Sequence, residues 1–299
     1  MIEMKHMKRQ KVQSRRLLEN FIHGLFLILG LVTVGCVLLI TVYLVVSGIP
    51  AIRRIGLVPF LFGRTWASTA SEPKFGILPF ILTSVYGTAG AMLIGVPIGF
   101  MTAVYLAKCA PQAVKSVMQT AVGVLAGIPS VVYGLVGMLV LVPGIRTLFR
   151  VPDGASLLAS IIVLAVMILP SIIKVSVTAL EAVPREYEDA SLALGATPEE
   201  TYFRVSVPAA KSGIAAAVVL GVGRAIGEAM AVMMVSGNAP NMPELLQSVR
   251  FLTTAVASEM SYSSGLQQQA LFSIALVLFL FIMLINAALN FFLKRGREG

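Results

Sequence analysis

The sequence predicts an all-α integral membrane protein with six transmembrane helices. Apolar residues make up 57% of the 299 residues and charged residues only 12%, and the mean hydropathy is +0.90. A soluble domain carries about 25% charged residues, so the surface of this chain cannot all face water. Six segments reach the roughly 20 apolar residues needed to cross a lipid core about 30 Å thick. These segments are 21–46, 75–107, 116–145, 155–180, 213–235 and 260–293.

The spacing of the charges also divides the chain into regions. The first apolar run has 26 residues, whereas the core of a signal peptide has about 7–15, so we interpret it as a retained helix. In the segment that follows it, Trp66 is expected to be an anchor at the membrane interface. We expect a basic tail at 1–20, a first helix at 21–47, an external loop at 48–74, a five-helix region at 75–293 and a second tail at 294–299.

The distribution of Lys and Arg predicts the orientation. If both termini are cytoplasmic, the inner segments carry fourteen of these residues and the outer segments seven. This excess follows the positive-inside rule, so we expect both termini on the cytoplasmic side. The net charge of +9 is then explained by topology and by attraction to anionic lipid. No basic stripe is interleaved with aromatic residues, so nucleic acid is not an expected partner.

Prolines and paired glycines occur inside the predicted helices. Pro97, Pro129 and Pro170 lie in the second, third and fourth spans. Proline frees a backbone carbonyl that lipid cannot satisfy, so kinked helices are typical of transporters, although local packing is the alternative for each one. Glycines four residues apart let helices approach closely in lipid. Such pairs are Gly95 and Gly99, Gly123 and Gly127, and Gly223 and Gly227.

The inner loop 181–208 has the signals of two short helices separated by a glycine corner. Pro184 suits the first turn of a helix that runs to Leu194, and Gly195 suits its C-terminus. Thr197 begins the next helix as an N-cap, with Pro198 at the first position and Glu200 completing a capping box. A rigid bent element on this face suggests docking of a soluble partner, whereas a solvated connector is the alternative.

The same loop resembles a motif of the permeases of binding-protein-dependent ABC importers. That motif reads Glu-Ala-Ala, three residues, Gly, nine residues, and then Ile, any residue, Leu, Pro. This chain has the identical spacing, with Asp, Ser and Val as departures from the motif. The matching residues are Asp189, Ala190, Ser191, Gly195 and Val205-Ser206-Val207-Pro208.

The resemblance covers about 75–290 and implies a MetI-like, type-1 permease core in a bacterial cytoplasmic membrane. It implies that the loop is a coupling helix on a cytoplasmic ATPase dimer, and that transport proceeds by alternating access. ATP and Mg would bind only to that ATPase, so no cofactor and no metal are expected in this chain. The chain would therefore be a transport subunit and not an enzyme.

Within that family the chain is similar to phosphate permeases of the PstC kind. The resemblance lies in segments 75–80, 125–134 and 223–232 and in Gly237-Asn238. It implies import of inorganic phosphate together with a second permease of the PstA kind and an external phosphate-binding protein. A PstA-type subunit, or a permease for molybdate, sulfate or an organic solute, is the alternative.

Charged residues inside the predicted spans are the candidate pathway residues. Arg224 and Glu228 are four residues apart, which predicts that they lie on one face of the fifth helix. An ionised side chain at mid-membrane costs about 2.5–3.5 kcal/mol, so such residues face a partner or a pathway. One hypothesis is that Arg224 binds passing phosphate while Glu228 holds the Arg224 side chain in place. The alternative is a structural ion pair that joins the fifth helix to the partner permease. Lys174 either extends to the headgroups or contacts substrate.

Other classes of function lack the residues they need. Both histidines, His6 and His23, precede the second span, so an intramembrane hydrolase would lack a histidine base there. The glycine-rich segment 221–227 lacks the Gly-Lys-Ser/Thr ending of a nucleotide-binding loop. A membrane scaffold would fit the helices but would not require the motif in 181–208.

Overall fold

The computed structural model describes residues 2–295, and it describes side chains for Glu19, 21–288 and Phe291. The first half contains seven helices and one hairpin. These are α1 (Ile2–Ile55), α2 (Leu57–Phe62), β1 (Trp66–Ala67), β2 (Lys74–Phe75), α3 (Leu78–Val104), α4 (Gln112–Gly127), α5 (Ser130–Val136), α6 (Val142–Phe149) and α7 (Leu157–Glu181). Strands β1 and β2 pair antiparallel, with Trp66 opposite Phe75. Five-residue π-helical turns continue α3 over Tyr105–Cys109 and join α5 to α6 over Gly137–Leu141.

The second half is entirely helical apart from its connections. It comprises α8 (Arg185–Ala193), α9 (Pro198–Thr201), α10 (Val207–Ala209), α11 (Lys211–Gly227), α12 (Met230–Val235), α13 (Leu252–Glu259) and α14 (Gly265–Arg295). A third π-helical turn, Tyr202–Ser206, joins α9 to α10. Residues 296–299 of the predicted tail 294–299 lie outside the described residues, and 294–295 belong to α14. Helix α1 exceeds the predicted 21–47 at both ends, so most of the predicted tail 1–20 is helical.

The prediction of six membrane-spanning helices is confirmed. Five helical segments in the described part of the chain are long and apolar enough to cross a membrane, and the number reaches six when a bent pair of helices is taken as one span. In that pair, Pro198–Ala209 and Lys211–Gly227 meet at 71°. The other five are Phe21–Ile55, Leu78–Cys109, Ser130–Phe149, Leu157–Glu181 and Gly265–Ala288.

Helix α7 forms the centre of the bundle, with α3 and α11 packed along it. A Cβ added to Gly95 would lie 2.7 Å from Ile168 Cδ1, and one added to Gly99 would lie 2.9 Å from Ile172 Cγ2. This first glycine pair therefore serves the predicted close packing. The other two pairs do not, because a Cβ at Gly127, Gly223 or Gly227 would meet nothing within 4 Å, and one at Gly123 only the Lys174 amine at 4.0 Å.

Among the residues with described side chains, helix α1 is attached to this bundle near its C-terminal end. Its apolar window in Phe21–Ile55 is not buried at all, as expected for a helix that faces lipid. Attachment occurs where Tyr43 packs edge-on against Phe272 and where Ser273 Oγ donates to the Gly48 carbonyl at 2.6 Å. The first helix is thus peripheral to the five-helix region.

The expectation for Trp66 is wrong. Its side chain is buried, with 6% exposure, in a cluster that includes Phe75 and Phe80. Its indole N–H donates to both carboxylate oxygens of Glu259 at 3.3 Å. Glu259 also forms an ion pair with Arg250. Trp66 can be buried inside the protein because its polar N–H donates to a protein carboxylate and does not need a lipid headgroup as its hydrogen-bond partner.

Candidate functional site

The loop 181–208 folds as predicted into two helical arms around a corner at Gly195. Helix α8 begins after Pro184, which is the N-cap and not the first helical residue, and ends at the C-cap Leu194. Gly195 has φ +89°, and its amide donates to the Leu192 carbonyl at 2.9 Å. Because L-residues are disfavoured at this φ, glycine is the residue that lets the helix stop here.

The second arm begins with the predicted capping box. The Glu200 amide donates to Thr197 Oγ1 at 3.3 Å, and the Thr197 amide donates to Glu200 Oε2 at 3.2 Å. Pro198 takes the first helical position. The arm continues to Ala209, one residue beyond Pro208, and then bends by 71° into α11. The loop is therefore a bent and largely helical element that is joined directly to the fifth span.

Helix α8 presents an exposed surface. None of its residues is buried, and Asp189 and Ala190 are both exposed. Tyr187 is 56% exposed and Leu194 is 90% exposed. Ser191 is half-buried, and its hydroxyl contacts the Thr201 hydroxyl at 2.9 Å. Exposed aromatic and aliphatic side chains beside a carboxylate are suited to a protein partner.

Sequence reasoning missed the residue that ties α8 to the bundle, which is Glu188. Its carboxylate pairs with Lys108 at the end of α3 and accepts a hydrogen bond from the Ser206 hydroxyl at 2.7 Å. Burial raises the pKa of Glu188, but hydrogen bonds from Lys108 and Ser206 and the nearby charges of Lys108 and Arg185 outweigh it, so this pKa lies below its ordinary value. The signal in the sequence was that Lys108 follows the apolar part of the second span and Ser206 lies two residues before Pro208 of the motif.

The predicted third and fifth spans, 116–145 and 213–235, are each interrupted, and the interruptions are alike. Helix α4 ends at Gly127, and α5 begins at Ser130 after Pro129. Helix α11 ends at Gly227, and α12 begins at Met230. The predicted kink at Pro129 is therefore a full break, whereas Pro97 and Pro170 lie within continuous helices.

The second interruption corrects the placement of Arg224 and Glu228. Glu228 has an extended backbone, with φ −73° and ψ 129°, so it is not on one helical face with Arg224. No ion pair joins the two among the described side chains. Instead Glu228 Oε1 accepts from the Ala231 amide at 3.0 Å, and its carbonyl accepts from Thr253 Oγ1 at 2.8 Å. The carboxylate is stabilised there because the first amides of α12 lack helical partners.

The segments that follow the two breaks pack against each other. A Cβ added to Gly134 of α5 would lie 2.8 Å from the Ala231 Cα of α12. Across the first break, the Tyr133 hydroxyl donates to the Leu125 carbonyl at 2.7 Å, which satisfies a backbone group freed by the break. Tyr133, which sequence reasoning did not identify, therefore bridges the first break.

Arg224 itself is half-buried. Its side chain makes no ion pair or hydrogen bond with any side chain or carbonyl in the part of the chain that the structure describes. Lys174 is exposed and borders a cavity of 270 Å³ between α4 and α7, together with Gln119 and Thr178. Both alternatives for Lys174 therefore stay open. Among the described residues, no group of three or more His, Cys, Asp or Glu could hold a metal ion.

Comparisons with known proteins agree with this architecture. Residues 95–297 match the family described as binding-protein-dependent transport system inner membrane component. The chain is 41% identical over 266 residues to the probable ABC transporter permease protein YqgH of Bacillus subtilis, which covers 86% of each chain. It is 34% identical to the phosphate transport system permease protein PstC of Haemophilus influenzae over 277 residues, again 86% of each. The PstC protein of Pasteurella multocida is also 34% identical, over 241 residues that cover 74% of this chain and 75% of that protein.

The fold is also found among solved structures. An inward-facing structure of the MetNI methionine ABC transporter matches with a TM-score of 0.55 and 19% identity, covering 74% of this chain and 94% of that chain. At this identity the likeness concerns the fold alone, which is the predicted MetI-like, all-α membrane architecture. The extent of the family match and the identity to the bacterial relatives show that this chain belongs to the family of inner-membrane components of binding-protein-dependent transport systems.

Proposed function

We propose that this chain is the permease subunit of an ATP-driven importer that moves inorganic phosphate across the cytoplasmic membrane by alternating access. The observation that carries the proposal is the loop 181–208, an exposed and glycine-bent helical element joined directly to the fifth span. Relatives at 34% identity are named as phosphate transport permeases, which supports phosphate as the substrate. Hydrolysis of ATP with Mg takes place in a separate subunit.

The coupling loop acts as a lever between that ATPase and the membrane helices. The side chains of Tyr187, Asp189 and Leu194 are exposed for docking. The Gly195 corner and the capping box at Thr197 keep the two arms at a fixed angle. A displacement of α8 is therefore passed on to α11 and is not absorbed by the loop.

The remaining partners follow from the same assembly. A second permease of the PstA kind completes the pathway, an ATPase dimer binds the coupling loops, and an external phosphate-binding protein delivers substrate. This arrangement requires loop 181–208 to be cytoplasmic, and the excess of Lys and Arg in the inner segments supports that orientation with both termini inside.

Arg224 is the proposed phosphate contact. A guanidinium offers forked donors that match phosphate oxygens, and Arg224 lies in the last turn of α11, directly before the break that follows Gly227. Broken helices at membrane depth are tolerated where they line a cavity or contact protein. Glu228 contributes by fixing the second break through its bond to Ala231. An ion pair from Arg224 to the partner permease is the alternative role.

Uptake of radiolabelled phosphate by the assembled complex tests the proposal. We expect Arg224→Gln to lower uptake about 10- to 100-fold, because a hydrogen bond to a charged group contributes about 1.5–3 kcal/mol. The matched control is Arg146→Gln, which removes the same charge from an exposed residue of α6 and should leave uptake unchanged. Normal uptake by Arg224→Gln in an intact complex would remove Arg224 from the pathway. A wild-type complex that imports sulfate, molybdate or an organic solute but not phosphate would refute the substrate.

A further inference from the structure

Helix α8 is joined to the rest of the chain through two of its side chains. Ser191 contacts Thr201 in the adjoining arm of the same loop. Glu188 is the only residue of α8 that the described hydrogen bonds and ion pairs connect to a membrane helix other than the one that follows the loop. Its neighbour Asp189, which occupies the motif position, is exposed and makes no side-chain hydrogen bond or ion pair among the described residues. Two adjacent carboxylates thus have different surroundings.

The Glu188 carboxylate bridges the end of the second span and the second arm of the loop at one oxygen. Oε1 accepts both from the Lys108 amine and from the Ser206 hydroxyl. The Lys108 side chain is 9% exposed, the Glu188 side chain is 18% exposed, and Ser206 is fully buried. Little solvent screening therefore weakens the pair, and the loss of one partner would leave a charge unpaired in a largely buried site.

Both anchor points are π-helical turns. Lys108 lies in the turn Tyr105–Cys109 at the end of α3, and Ser206 ends the turn Tyr202–Ser206 that leads into α10. Such turns are places where a helix is locally irregular, and they often occur at functional positions. A polar cavity of 500 Å³ borders Lys108, Glu188 and Tyr202. The bridge therefore has irregular backbone at both ends and open space beside it.

Helix α3 extends from this bridge through the membrane. It packs on α7 through Gly95 and Gly99, and its outer end lies in the cluster that holds Phe80 and Trp66. A force applied at Lys108 therefore acts on a continuous helix, Leu78–Val104, that reaches the opposite face. Helix α11 is joined to the loop by the chain itself, whereas the end of the second span contacts the loop through the Lys108–Glu188 pair and through an apolar cluster in which Leu106 packs with Val183 and Val207.

We propose that Glu188 is a positioning residue for transport, which transmits displacement of the coupling helix to the second span through Lys108. This inference rests on the proposed function, since it concerns how the loop drives the membrane helices. In the loop, Asp189 then faces the ATPase while Glu188 faces the membrane helices.

The test uses the full complex of both permeases, the ATPase and the binding protein in proteoliposomes, and it measures phosphate imported per ATP hydrolysed. We expect Glu188→Gln to assemble and hydrolyse ATP while importing about tenfold less phosphate per ATP. The control Glu186→Gln removes the same charge from an exposed residue of the same helix and should keep the wild-type ratio. The double variant Glu188→Lys with Lys108→Glu restores the pair with its charges exchanged and should recover the ratio.

The outcomes separate this inference from the function on which it rests. A wild-type ratio in Glu188→Gln would overturn the coupling role while leaving phosphate import intact. If Glu188→Gln does not assemble, the double variant Glu188→Lys with Lys108→Glu decides. A double variant that assembles but does not recover the ratio of phosphate to ATP also overturns the coupling role of Glu188. A wild-type complex that imports a different solute refutes phosphate alone, and the ratio is then measured with that solute.

Discussion

Replacing Gly195 by Ala isolates the contribution of one backbone conformation to coupling. Gly195 has φ +89°, and an added Cβ would meet nothing within 4 Å. The substitution therefore introduces no clash, and its cost is that of a left-handed conformation in an L-residue, about 1–2 kcal/mol. A change of this size alters a two-state ratio by a factor of about 5–30. The bent geometry of the loop should lose population by that factor.

The assay is phosphate import per ATP hydrolysed, together with thermal unfolding of the assembled complex. We expect coupling to fall in the order Gly, Asn, Ala at position 195, because Asn adopts the left-handed region more readily than Ala. The control is Gly24→Ala, which is also free of contacts within 4 Å but lies within the helix α1. If the Gly195→Ala complex imported phosphate with the wild-type ratio, the left-handed corner would not be required. The proposal that the bent loop acts as a lever would then be wrong.

Three further predictions concern the packing of α5 on α12, the cluster that contains Trp66, and pH. Gly134→Ala would place a Cβ 2.8 Å from the Ala231 backbone, and such overpacking costs about 1–3 kcal/mol, so the complex should unfold at a lower temperature. The control Gly127→Ala, whose Cβ would meet nothing within 4 Å, should leave the unfolding temperature unchanged. Equal unfolding temperatures of the two variants would contradict the packing of α5 on α12. Trp66→Phe removes the indole donor to Glu259 but keeps an aromatic ring. We therefore expect the free energy of unfolding to fall by about 1 kcal/mol, measured by thermal unfolding. An unchanged melting temperature would show that this hydrogen bond contributes nothing to stability. The pKa of Glu188 is lowered from 4.5, so its contribution to stability is fully present above that value and is lost as pH falls through the lower folded-state pKa. The melting advantage of wild type over Glu188→Gln should therefore be constant from about pH 8 to 5 and vanish in stronger acid, and its loss between pH 7 and 6 would contradict the direction of the shift.

The local chemistry of the chain accounts for what could be predicted. Transfer of an apolar segment to lipid depends on about 20 consecutive residues, so the spans could be predicted from hydropathy and charge spacing. The corner at Gly195 and the capping box at Thr197 depend on contacts within four residues, and the structure has both. For the same reason the motif identified the family before any tertiary contact was known.

Contacts between distant segments account for what could not be predicted. The break after Gly227 has no proline to signal it, and it is held by the Thr253 hydroxyl on the Glu228 carbonyl and by α12 packed on α5. Trp66 satisfies the rule for an interfacial residue, but Glu259, 193 positions later, gives its N–H a buried partner. The Glu188 bridge spans 80 positions to Lys108.

The sequence by itself therefore determined the membrane-spanning architecture, the shape of loop 181–208 and the family, because each depends on short stretches of chain and on the cost of placing charge in lipid. Only the tertiary structure decided where the third and fifth spans break, that Arg224 and Glu228 do not pair with each other, and that Glu188 bridges α8 and α3. Those outcomes depend on which distant group satisfies each buried donor, acceptor or charge, and that choice exists only once the helices are packed.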